Sequence, residues 1–196
     1  MSDRGATDEG GDADASPPPT PGYTVVAPVS AGVSETMAKR LGNGLAAFGG
    51  GRLTLSADVE DLGDPDAPWA FAHVSGDANA DELVQAYPEC WTYRTEVHVV
   101  WEHQRRRPPV VSRTVLLRRN PALDHAEFVQ RWTVGHAELA RRHHPGISRY
   151  VQRVVVDVLT PDAPPADGIA SLAYHDLADF ELRQYDSPEG EAIIQE

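Results

Sequence analysis

The sequence predicts an α+β fold made of two ferredoxin-like β-α-β-β-α-β units in tandem. Three observations carry this expectation. Strand and helix signals between Tyr23 and His103 follow the order β-α-β-β-α-β. A Pro-containing linker, residues 104–112, interrupts the pattern, and the same order then restarts. Hydrophobic spacing switches cleanly between a period of two and helical steps, so the elements can be told apart.

In the first unit, Tyr23–Val29 reads as a strand. Ser34 to Phe48 reads as a helix, because Met37, Leu41, Leu45 and Phe48 fall on one face, and Gly49-Gly50-Gly51 stops it. Leu53, Leu55, Ala57 and Val59 alternate as in a half-buried strand. A turn rich in Asp, Gly and Pro over 61–68 leads to a strand at Trp69–Val74. Asn79 and Glu82 form a capping box that opens a short helix through Tyr87. Cys90–Trp101 is a long strand, with Thr95, Val97, Val99 and Trp101 on one side and Glu96, His98, Val100 and Glu102 on the other.

In the second unit, Arg113–Arg119 is a strand. Asp124 and Glu127 open a helix that runs to about His143, where Pro145-Gly146 ends it. Arg149–Leu159 and Ile169–His175 are strands separated by a Pro/Asp loop over 160–168. Asp176 starts a helical region, and Ser187-Pro188-Glu189 marks a fresh helix start. A final strand is missing from this second pattern, which would leave a sheet edge to be covered some other way. The domain boundaries are therefore 1–22, an acidic and Pro-rich tail expected to be disordered; 23–103; 104–112; and 113–196.

The chain has 196 residues and a net charge of −13. A body this acidic should repel nucleic acid and anionic membranes, so neither is expected as a partner. The cluster Arg105-Arg106-Arg107 reads as a solvated linker. One cysteine, Cys90, rules out an intrachain disulfide and fits a reducing compartment. No apolar run is long enough for a membrane helix and no signal peptide is visible, so a cytoplasmic protein is expected.

The second half resembles the EthD family of the dimeric α+β barrel superfamily. The resemblance rests on Leu116-Leu117-Arg118-Arg119, on Glu127-Phe128, Trp132 and His136-Ala137, on Tyr150-Val151-Gln152, on Asp167-Gly168-Ile169-Ala170 and on Ser187-Pro188-Glu189-Gly190. It covers about 113–196. It implies that two ferredoxin-like units pack their sheets to enclose a barrel. Here the chain's own two halves would do so, giving a monomer with an intrachain pseudo-dimer; the alternative is a homodimer through the second halves. It also implies a pocket between sheet and helices for a small hydrophobic, aromatic, lactone or polyketide-like molecule. The associated chemistry is cofactor-free cyclisation, dehydration, decarboxylation, isomerisation or oxygenation.

His136 is the lead candidate for catalysis. Phe128, Trp132, His136, Leu139 and His143 form one stripe of their helix. A neutral imidazole there suits acid/base work on a phenol or enol, while the alternative is a core histidine bonded to a carbonyl. Tyr150 and Gln152 share one side of their strand with Val154 and Val156, and could orient a ligand's oxygen. Trp132 would line the pocket or pack in the core. His98 and Glu96 would be a second acid/base set if their face lined a barrel, and solvated if it did not.

No metal is expected. His136 and His143 are separated by about 10 Å of helical rise, too far to share an ion. No nucleotide-cofactor or serine-hydrolase motif appears, so no cofactor is expected. A non-catalytic binding domain or a filled structural barrel remains the alternative to an enzyme.

Overall fold

The computed structural model describes residues 18–27, 51–54, 70–76, 78–103 and 108–195. Seven strands form one antiparallel sheet: β1 (Thr20–Ala27), β2 (Gly51–Thr54), β3 (Ala70–Ser75), β4 (Trp91–Glu102), β5 (Val111–Leu117), β6 (Ile147–Val158) and β7 (Gly168–Tyr174). Their order across the sheet is β2-β3-β1-β4-β6-β7-β5. The first four strands thus lie second-third-first-fourth. The last three lie second-third-first, and among the described residues no fourth strand joins them.

Six helical segments complete the described chain. They are α1 (Ala80–Ala86), α2 (His125–Gln130), a π-helical turn (Arg131–His136), α3 (Ala137–His143), and the C-terminal pair α4 (Leu177–Leu182) and α5 (Pro188–Gln195). No helix among the described residues is long and apolar enough to cross a membrane. The expected helix over 34–48, the turn over 61–68, the arginine cluster at 105–107 and residues 1–17 of the expected tail lie outside the described residues. So do residues 55–59 of the strand expected from Leu53.

The expected tail is too long by three residues. Thr20, Pro21 and Gly22 already pair with Val97, Glu96 and Thr95 of β4. Gly22 fits because a Cβ there would come within 2.8 Å of the Val74 carbonyl and 2.9 Å of Val97. Both capping residues work as anticipated. Asn79 accepts from the N–H groups of Asp81 and Glu82 and donates to the Glu82 carboxylate at 3.1 Å. Asp124 accepts from Glu127 N–H at 2.8 Å, but the Glu127 carboxylate turns outward to Arg131 at 2.6 Å, so that box is half formed.

Two apolar clusters build the side of the sheet that carries the helices. Tyr23, Val25, Ala27 and Val74 meet Leu83 and Tyr87 of the α1 segment. Phe128, Trp132, Ala137 and Ala140 meet Ile147, Tyr150, Val154 and Tyr174. A third cluster occupies the opposite face and joins Val26 of β1 to Val155 of β6 and Ile169 of β7. Tyr93 of β4 belongs to the same cluster and stands between them in the curled, half-barrel sheet.

The halves of the chain meet along β4 and β6, the two longest strands. Nine register pairs run from Tyr93↔Val158 to Glu102↔Arg149, with irregularities at Arg94/Thr95 and Val99/Trp101. The second irregularity corrects the expected facing of β4. A bulge places an extra residue on one strand and flips the facing of the residues beyond it. Trp101 therefore leaves the side of Val97 and Val99. It stands against Tyr150, ring centroids 5.2 Å apart and edge-on.

Candidate active site

The sequence-predicted residues Trp132, His136, Tyr150 and Gln152 converge between the sheet and the α2-π-α3 helix. Tyr150 and Gln152 are alternate residues of β6, so both point toward that helix. The Gln152 amide nitrogen donates to the Trp132 carbonyl at 2.8 Å and to the Tyr150 hydroxyl at 3.0 Å. The Trp132 side chain lies close enough to favour the ionised form of the Tyr150 phenol, against burial. The phenol oxygen therefore accepts from Gln152, and its own hydrogen is left for another group.

Burial pushes the Tyr150 phenol up to about 12, so it stays protonated at any physiological pH. The Gln152 carbonyl oxygen is buried and accepts no hydrogen bond. A carbonyl in a dry site without a donor is costly, and native proteins rarely leave one so.

The helix that faces these residues is not a regular α-helix. Arg131–His136 forms a π turn flanked by α2 and α3. A π turn holds more residues than the 3.6 of an α turn. Steps of four residues overshoot an α turn and undershoot a π turn, so Trp132 and His136 stay over the same strip of sheet. Such turns occur often at functional sites. Trp132 stacks on Phe128 with centroids 5.4 Å apart and lies against Gly168 of β7. His136 is half-buried, its ring centroid 6.3 Å from that of Tyr150. Burial, with help from nearby His144, holds the His136 imidazole below its usual range, so it is neutral near pH 7.

His143, at the end of the same stripe, belongs elsewhere. Its Nδ1 lies 3.1 Å from the Asp186 carboxylate and ties α3 to the C-terminal segment. Buried His144 binds the Gln184 carbonyl and packs on Tyr185. Asp176 caps α4 by accepting from Asp179 N–H at 2.7 Å, as its position suggests. Among the described residues, no three His, Cys, Asp or Glu side chains are grouped to hold a metal ion.

His98 and Glu96 lie on the helix side of the sheet, not on the concave side. Glu96 is exposed, whereas His98 is half-buried with its Nε2 enclosed. Sequence reasoning missed the polar groups of the concave face. Thr24 and His73 are hydrogen-bonded at 3.0 Å, and the Arg153 guanidinium donates to Ser171 Oγ at 2.9 Å. Burial, then Arg153 and Arg149, hold His73 well below the usual imidazole range. The signal was present: Arg153 interrupts the apolar alternation Val151-Val155 on the side away from Tyr150 and Gln152.

Residues 120–196 match the family model of the EthD domain. The resemblance read from 113–196 therefore holds over the C-terminal part of the chain, starting seven residues later. A crystal structure of a "putative monooxygenase" from Lactobacillus acidophilus NCFM is similar at 13% identity, with a TM-score of 0.47. The match covers 90% of this chain and 86% of that one. No curated protein matches the sequence.

Proposed function

We propose that this protein is a small cofactor-independent enzyme that moves a proton on an aromatic, lactone or polyketide-like molecule. The observation that carries the reading is the hydrogen-bonded group Gln152–Tyr150–Trp132 beside a neutral, half-buried His136. His136 would act as the acid/base. Tyr150, accepting from Gln152, would donate to a substrate oxygen and stabilise negative charge there, and Trp132 would form the apolar wall. A positioned imidazole of this kind contributes about a hundred- to ten-thousand-fold in rate.

The architecture follows the same proposal. The two halves have the same strand order as far as the second half extends, and they join through β4 and β6. These features support an intrachain pseudo-dimeric barrel, monomeric in a reducing cytoplasm where buried Cys90 stays a thiol.

The test is turnover of a panel of phenols, lactones and polyketide-like acids by wild type and by His136→Gln. The variant should lose rate while ligand affinity changes little. A second reading, a packed domain without catalysis, is favoured by the burial of Tyr150 at 2% exposure and Gln152 at 0%. It predicts no ligand and no turnover in either protein, with lowered stability in the variant.

A further inference from the structure

Two unsatisfied polar atoms belong to side chains that stand opposite each other across the seam between the halves. Gln152 of β6 and His98 of β4 are direct register partners. Directly opposed residues of an antiparallel pair point to the same face, with Cβ atoms about 5 Å apart. Here that is the face carrying the π turn, since Gln152 reaches the Trp132 carbonyl. The Gln152 carbonyl oxygen and His98 Nε2 are both enclosed, and neither has a hydrogen-bond partner. The amide orientation of Gln152 is set by its bonds, because only the nitrogen can donate to the Trp132 carbonyl. The orphan on that side is therefore an acceptor.

Imidazole Nε2 donates in one tautomer and accepts in the other. A hydroxyl is complementary to such a pair, since it gives its hydrogen to one side and takes one from the other. We propose that His98 and Gln152 form a slot for the hydroxyl of a phenol or enol ligand, so that the first half of the chain completes the site of the second. This rests on the reading of Tyr150, Gln152 and His136 as a ligand site, and it names the substrate group that site receives. Burial holds the His98 imidazole below its usual range, with Glu96 opposing, so the ring is available in its neutral form.

The experiment compares naphthol with methoxynaphthalene, which keeps the ring system but lacks the hydroxyl hydrogen. Affinities are measured on the full chain as wild type, His98→Phe and His136→Gln. Nitrogen NMR of the wild type follows the His98 Nε2 resonance and does not depend on any variant folding. The expected result is naphthol binding about threefold to tenfold tighter, the range for one neutral hydrogen bond. That preference should vanish in His98→Phe and persist in His136→Gln, and naphthol alone should move the Nε2 resonance. Equal affinities in the wild type, binding of neither probe, or a preference retained in His98→Phe with an unmoved resonance would overturn the slot. A preference lost only in His136→Gln would overturn it while leaving His136 as the ligand's partner. A preference that depends on His98, with turnover indifferent to His136, would sink the catalytic reading and keep the slot.

Discussion

Gly168→Ala tests the packing of the candidate site more sharply than any change to its polar groups. Gly168 opens β7 and pairs with Leu117 on one side and Val154 on the other. A Cβ at this position would collide with the Trp132 ring, standing 2.7 Å from Cη2 and 3.1 Å from Cε3. Real carbon contacts sit nearer about 3.5–4.0 Å, so either the strand or the indole must shift. The strand is held by ladders on both sides. The indole is held by its stack on Phe128, and the Trp132 backbone by the Gln152 amide at its carbonyl.

Overpacking of a well-filled core costs about 1–3 kcal/mol, and with both partners fixed the upper half of that range is expected. For a chain of this size that is a fall in Tm of roughly 4–12 °C. Thermal unfolding followed by circular dichroism measures it. Adding Trp132→Phe should return part of the loss, because the two changes share one contact and cannot add independently. A Gly168→Ala protein that melts within about one degree of wild type would refute the reasoning, and with it the position of Trp132 over the strand.

Gly135→Ala, in the π turn, should behave oppositely. Its Cβ meets nothing within 4 Å, so stability should rise by about 0.5–1 kcal/mol in the same melting assay, and a loss would mean the turn requires glycine. Stability should fall as pH drops below about 6.5. The imidazoles of His73, His98, His136 and His144 are all lowered, chiefly by burial. The unfolded chain then binds protons that the folded one refuses, so stability is complete above the unfolded value and is lost on acidification toward the folded ones. A flat profile of Tm from neutral pH into that window would contradict the burial of these rings. Asp167→Asn should lower Tm at neutral pH and lose its effect in acid. Burial raises the Asp167 carboxyl, but the Arg119 N–H, the Arg119 guanidinium and His125 outweigh it and hold it low, so its contribution disappears as pH falls through the folded value. Tyr150→Phe should leave the Gln152 amide one acceptor short and cost about 1 kcal/mol, read from the shift of the denaturation midpoint.

The sequence was most legible where one period dominated. Alternation over β4 and β6, the caps at Asn79, Asp124 and Asp176, and the stop at Pro145-Gly146 all found their places within two residues. The convergence of Trp132, His136, Tyr150 and Gln152 followed from two simple periods, four residues along a helix and two along a strand. Less legible were features that break a period. The π turn uses the same residues an α-helix would, and its extra residue per turn leaves no mark on composition. The bulge that turns Trp101 toward Tyr150 depends on the register between β4 and β6, which lie some fifty residues apart. The encounter of His98 with Gln152 depends on that same pairing and could not be read from either half alone.

The β4–β6 seam joins two segments of a single polypeptide. In an interface between identical copies, each contact occurs twice, and one mutation alters both occurrences. No such bond ties the two sides of this seam. The strand that carries His98 can change without altering the strand that carries Gln152, so one flank is free to specialise while the other keeps the geometry that holds the sheet together. Dilution does not weaken the pairing either, since neither side can diffuse away from the other.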